Sequence, residues 1–227
     1  MKTTTPTPSA EHHGAAAHAH PWYLAHHFDD IETQNHAARL GMWLFLGTEV
    51  LLFAGLFLGY TVYRWLYHPT FREASHHLSL ALGGINTVVL ISSSFTVALG
   101  YHAIKEGKAR KCAGYMLFTM LCAAIFLVIK YFEYAHKFHE GQLPGRYYTY
   151  EGLHHPGGNI FFSVYFLATG LHALHVIIGA SILAWLTRRI LKGKYGPHHY
   201  VPVELGALYW HLVDLVWIFL FPLLYLI

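Results

Sequence analysis

The sequence predicts an all-α polytopic membrane protein, a bundle of five transmembrane helices. Three observations carry that reading. First, of 227 residues 55% are hydrophobic and only 12% charged, about half the charged share of an average soluble chain, and the mean hydropathy is positive. Second, the apolar residues gather in five stretches, at 40–63, 78–101, 112–135, 159–187 and 205–227, each long enough for a helix of about 30 Å or more at ~1.5 Å per residue. Third, none of the five shows the alternating polarity of the roughly ten-residue strands of a membrane β-barrel. Such a chain is not a soluble enzyme, a disordered tail or a secreted disulfide scaffold. Its net charge of +3 is small and scattered, which excludes a nucleic-acid surface.

Residues 1–36 form a polar arm rich in Thr, Pro and Ala, with seven histidines between His12 and His36. The arm has no apolar core of the signal-peptide kind and is expected to be flexible, apart from a transmembrane domain at 37–227. His12, His13, His26 and His27 read as solvated residues rather than as a metal site. The first span carries Gly55 and Gly59 as a GxxxG pair and places Glu49 among leucines and Phe53. A carboxylate at that depth costs at least ~2.5 kcal/mol, so Glu49 is expected to be protonated, paired or turned toward a protein interior.

In the second span Ser79, Asn86, Ser93 and Gly100 recur every seven residues, beside Gly83, Thr87 and Ser94. Small and hydroxylated side chains on one face let helices approach, and Asn86 is expected to hydrogen-bond across the seam. The third span holds Cys112 and Cys122 as apolar filler, and no CxxC, haem-attachment or zinc spacing is present. Near its end Lys130 and Glu133 share a face at i, i+3, where both can snorkel or pair.

The fourth span lines Ala168, His172, His175 and Gly179 along one side. Two histidines at i, i+3 can share an ion, but a metal needs further ligands. No Glu-x-x-His or His-Glu-x-x-His pattern supplies them, so packing histidines are the expectation. The fifth span carries Glu204, His211 and Asp214. His211 and Asp214 share a face, either as a neutralising pair or as part of a proton-exchange cluster. Because the first and fifth spans run the same way, Glu49 and Asp214 are expected at similar depth, forming one buried polar layer with His211.

Lys and Arg set the orientation. Ten of them lie in the N-terminal segment and in the second and fourth loops, against four in the first and third loops. The positive-inside rule then puts the N-terminus in the cytoplasm and the C-terminus on the periplasmic side.

From about Arg39 to its end the chain resembles subunit III of the haem-copper cytochrome c oxidases. The resemblance rests on Gly41-Met-Trp-Leu-Phe-Leu-Gly-Thr-Glu49, the Asn86 to Ser94 stretch, Phe132-Glu133-Tyr134, the Thr169 to Gly179 stretch and the closing Tyr209-Trp-His211-Leu-Val-Asp214-Leu-Val-Trp217. It implies an accessory subunit of a bacterial terminal oxidase, with no catalytic residue, metal or redox centre of its own. Haems and copper would sit in the partners, catalytic subunit I and copper-binding subunit II, with further respiratory subunits possible.

In that family the acid matching Glu49 reacts with hydrophobic carbodiimides, phospholipid is bound in a V-shaped cleft, and the subunit sustains proton uptake and turnover lifetime. The buried polar residues the resemblance marks are Glu49, Glu133, His211 and Asp214, with Asn86, Ser93, His172 and His175 as helix-packing groups. Typical members have seven spans. Here the match begins at the third, as in five-span bacterial forms including caa3-type oxidases, and Lys130 stands where the family commonly has Gln. The corresponding subunit of a quinol oxidase or nitric-oxide reductase fits the same motifs. A stand-alone proton-coupled transporter would require inverted repeats, which the sequence lacks; a di-haem cytochrome would be coloured.

Overall fold

Residues 23–150 and 152–226 are described by a computed structural model. The helices are α1 (Ile31–Leu66), α2 (His68–Ser75), α3 (Leu80–Lys105), α4 (Ala109–His139), α5 (Gly158–Leu191) and α6 (Val201–Tyr225). All but α2 are long and apolar enough to cross a membrane. The expected all-α architecture of five spans is therefore what forms. His12 and His13 lie outside the described residues.

Helix ends obey capping chemistry rather than hydropathy. Asp30 accepts from the Thr33 amide at 2.6 Å and from its hydroxyl at 2.9 Å, which starts α1 at Ile31, well ahead of the apolar stretch that begins at 40. Before it, Gln34 holds residues 23–25 against the first turn by bonds to the Ala25 amide and the Tyr23 carbonyl. The chain divides into two compact units between Ala38 and Arg39.

The Ser79 hydroxyl accepts from Leu82 at the start of α3. At the other end Gly107 takes φ +76°, so that Lys108 N–H reaches the Ala103 carbonyl at 2.9 Å and the chain turns directly into α4. Gly193 closes α5 in the same way, with Lys194 N–H on the Arg189 carbonyl. The short helix α2 is an element the hydropathy pattern did not show. Pro69 sits in its first turn, and Phe71 and Ala74 bury its inner face against α5.

Four helices form the core: α3 packs on α4 and α6, and α5 packs on α4 and α6. Of the small stripe of α3, Gly83, Asn86, Ser93 and Gly100 are buried, whereas Ser79, which caps the helix, is exposed. Its hydroxyls receive donors from α6: Trp210 Nε1 bonds Ser93 at 2.9 Å and Trp217 Nε1 bonds Thr87 at 3.0 Å. Thr96 on α3 pairs with Thr119 on α4 at 2.9 Å. Gly179 of α5 faces the Trp210 and Tyr209 rings, and an added Cβ there would stand 2.9 Å from Trp210. Cys112 and Cys122 are free and buried.

Helix α1 makes less contact. Only Leu46, Phe53 and Tyr60 are buried along it, seven residues apart. Arg39 continues the stripe and grips Glu204 of α6 with Nε and Nη2 at 3.0 and 2.9 Å. The opposite stripe, Leu44, Leu51, Leu58 and Trp65, is 66–81% exposed. A continuous apolar face of that kind belongs in hydrocarbon. The GxxxG pair does not form a seam, since nothing lies within 4 Å of a Cβ built at Gly55 or Gly59. The seam runs through the larger residues instead.

Between α4 and α5 the connecting segment is tied to α2. Glu73 accepts from the His154 amide at 3.1 Å and contacts its ring Nδ1 at 2.6 Å. These bonds hold the Glu73 carboxyl below the usual carboxylate range.

This packing makes Gly179 and Gly55 opposites. Gly179→Ala is expected to destabilise by about 1–3 kcal/mol through overpacking, whereas Gly55→Ala gains up to about 1 kcal/mol of helix propensity; unfolding in detergent separates them. Because the Glu73 value is depressed in the folded state, its contribution is complete above the ordinary carboxyl range and lost as the pH falls through the folded value. Glu73→Gln should therefore speed hydrogen exchange at the His154 amide at neutral pH, with the difference from the parent narrowing in acid.

Candidate functional site

Glu49 lies midway along α1 and turns toward α5, where its Oε2 stands 2.8 Å from His175 Nε2. The other ring nitrogen, Nδ1, is 2.8 Å from the Leu171 carbonyl. A carbonyl only accepts, so Nδ1 carries hydrogen. The Nε2 contact then holds one shared proton, as carboxylic acid against imidazole or as carboxylate against imidazolium. In either form the pair is neutral overall, which makes a carboxyl tolerable at this depth. Phe53 covers the ring from the α1 side at 5.1 Å.

Beside this pair a cleft of about 460 Å³ opens between α1, α5 and α6. Met42, Phe45, Ile178, Ile182 and Leu205 are among the apolar side chains of its wall, and Glu49, His175 and Tyr209 are its ionisable members. The cleft exists because α1 touches the core along one narrow stripe. Its chemistry suits a long apolar ligand with a polar group that can meet the carboxyl.

The single polar layer expected from Glu49, His211 and Asp214 does not form. Glu49 is engaged by His175, while His211 Nδ1 lies 2.6 Å from the Ser94 hydroxyl of α3. Nor do His211 and Asp214 neutralise each other. Asp214 is 3% exposed and neither of its carboxyl oxygens has a hydrogen-bond partner. The Ser94 hydroxyl lies near it as well as near His211 Nδ1. Depth along an axis puts groups at one level; rotation about that axis decides whether they meet, and α1 and α6 turn these acids to different neighbours.

Lys130 and Glu133 do not snorkel. Both are buried in the core, 3.0 Å apart. Tyr225 and Tyr165 donate to Glu133 Oε1 at 2.6 and 2.9 Å, and Lys130 also reaches the Tyr225 hydroxyl at 2.7 Å. Lys130 stands 4.9 Å over the Trp217 ring. The ion pair is thus surrounded by hydrogen bonds and aromatic faces, the condition under which a buried pair is tolerated. Further along the same face, buried Lys137 donates to the Gln142 side chain at 3.1 Å. Sequence reasoning missed Tyr165, Tyr225, Lys137 and Gln142. A usable signal was the i, i+3, i+7 spacing of Lys130, Glu133 and Lys137, which puts three charges on one helical face.

The two histidines of α5 part company. His175 faces α1, whereas His172 is wholly buried against Phe126 at 5.4 Å and Trp217 at 5.1 Å. Neither His172 nitrogen is hydrogen-bonded, and Asn86, expected to bond across helices, has no partner either. Ser93 does the bonding that was expected of Asn86. Each unmet buried polar group costs about 1–3 kcal/mol, so these are prominent features of the core. Among the described residues no group of three or more His, Cys, Asp and Glu is placed to hold a metal ion.

The profile of the family described as cytochrome c oxidase subunit III matches residues 22–227. The chain is 33% identical over 190 residues to cytochrome c oxidase subunit 3 of Corynebacterium diphtheriae, covering 83% of this chain and 87% of that one. It is 36% identical to the protein of the same name from Synechocystis, covering 82% of this chain and 74% of the relative. For that of Thermostichus vulcanus the values are 35%, 83% and 86%. With the five spans, the α3 stripe and the Glu49–His175 pair on the same ordered motifs, the chain belongs to the cytochrome c oxidase subunit III family.

Proposed function

We propose that this chain is the non-redox subunit III of a bacterial haem-copper terminal oxidase in the cell membrane. In this reading it docks against catalytic subunit I and copper-binding subunit II, binds phospholipid, and supports proton uptake during oxygen reduction. The N-terminus and the α3–α4 and α5–α6 turns face the cytoplasm, in keeping with the ten basic residues on that side. The observation that carries the reading is the 2.8 Å contact between Glu49 and His175 beside an apolar cleft open between α1 and the core.

An acyl chain fits walls of Met, Phe, Ile and Leu, and a lipid there would fill the gap beneath α1 that the thin seam leaves. The subunit then acts indirectly. It keeps the partner's surface and its surrounding lipid in place while protons enter the catalytic subunit. Membership of a subunit III family supports assembly into a multi-subunit oxidase, and the exposed apolar faces of α1 and α3 supply area for partners or lipid.

Two measurements test this. Purification from detergent-solubilised membranes should bring down haem-copper and copper-binding chains together with this one; recovery as an active polypeptide alone would overturn the assignment. Glu49→Gln keeps the size of the side chain and removes the shared proton. It should leave assembly and initial turnover intact but shorten the number of cycles before inactivation. An unchanged lifetime would remove the pair from the functional account.

A further inference from the structure

Among the described residues, the four whose buried polar atoms lack partners, Asn86, Gln142, His172 and Asp214, are not scattered. Trp217 of α6 packs against one of them and lies within a helical turn of the sequence positions that hold or adjoin the other two. Its indole donates to Thr87, the neighbour of Asn86; its ring lies 5.1 Å from His172; and Asp214 is one turn back on the same helix. Trp210 and Trp217 bond Ser93 and Thr87 respectively, so Asp214 lies midway between those two crossings, deep in the core.

Lys130 stands over the same Trp217 ring and joins this group to Glu133. Lys137, 5.6 Å from the Tyr165 ring, then bonds Gln142, the fourth orphaned residue. Glu133 and Lys137 also line a cavity of about 300 Å³, shared with His77, Ser79 and His136, between the start of α3 and the end of α4. Charged and hydroxylated side chains therefore follow one another from the α2 end of the bundle to Lys130 at the Trp217 ring.

Water is the ligand class that these groups fit. Asn86 presents donors and an acceptor, an imidazole presents one of each, and Asp214 presents two oxygens. A small molecule that both donates and accepts satisfies all of them, whereas an ion of either sign would leave one kind unmet. We propose that the four-helix core holds a file of ordered water that enters between α3 and α4 beside Glu133 and Lys137, passes Lys130 and Trp217, and ends at Asp214. The file supplies the hydrogen bonds that the protein does not, and it places Asp214 in proton exchange with the medium at the α2 end.

Radiolytic hydroxyl-radical labelling of the purified oxidase complex, read by mass spectrometry, tests this on the unaltered protein, because radicals born on bound water mark adjacent rings. Phe126, which touches His172 and Trp217, and Phe161, packed between Phe71 and Phe162, are both fully buried. Phe126 should label several-fold faster than Phe161, and should carry ¹⁸O after brief mixing with H₂¹⁸O. Equal labelling of the two rings would overturn the water file. Labelling without ¹⁸O would mean sealed waters and overturn the inlet. Lys137→Met at the mouth should slow the arrival of ¹⁸O at Phe126 several-fold, and an unchanged rate would remove Lys137 from the route.

Discussion

A hydrocarbon surround offers no hydrogen-bond partner, and that constraint orders the rest of this molecule. Lys130, Glu133, Lys137, His172 and Asp214 are all withdrawn into the core, while leucine, valine and phenylalanine face outward. The inversion makes the interior of the four-helix unit a place where hydroxyls, indoles and charges must complete one another. Trp210 and Trp217 meet Ser93 and Thr87; Tyr165 and Tyr225 meet Glu133. Each contact crosses from one helix to another, so the polar residues hold the helices in register as well as satisfying themselves.

Helix α1 lacks that interior network and is seated more loosely for it. It is fastened by a seven-residue stripe and by polar contacts near its two ends and its middle: Arg39 with Glu204, Glu49 with His175, and the Tyr60 hydroxyl donating to the Leu223 carbonyl. The last of these meets a carbonyl at the end of α6, just past Pro222, where the helix has run out of its own donors. Between the fastenings the helix stands off, and the cleft is the space that remains. The Glu49–His175 contact lies in the wall of that cleft.

The number and order of the spans were legible because about twenty apolar residues are a length requirement that composition alone expresses. Their ends were not, since Asp30, Gly107 and Gly193 set boundaries through local bonds and backbone angle rather than through hydropathy. The α3 stripe was legible for the same reason as the spans: a period of seven survives in one dimension. Pairing was less so. Glu49 and Asp214 were expected at one depth as parts of one layer, yet one meets His175 and the other has no hydrogen-bond partner, because helix rotation is fixed by packing against neighbours. Gly55 and Gly59 carried a packing pattern with nothing packed on it, while Leu46, Phe53 and Tyr60 form the seam.

The sequence by itself determined that this is a five-span membrane chain, which motifs tie it to its family, and which ionisable residues lie at membrane depth. Those properties depend on spacing along one chain. Only the tertiary structure decided that His175 rather than Asp214 is the partner of Glu49, that Lys130 and Glu133 turn inward, and that Asn86, His172 and Asp214 are buried without protein partners of their own. Those outcomes depend on how each helix rotates about its axis to bury its largest rings, a choice made between helices and written in none of them singly.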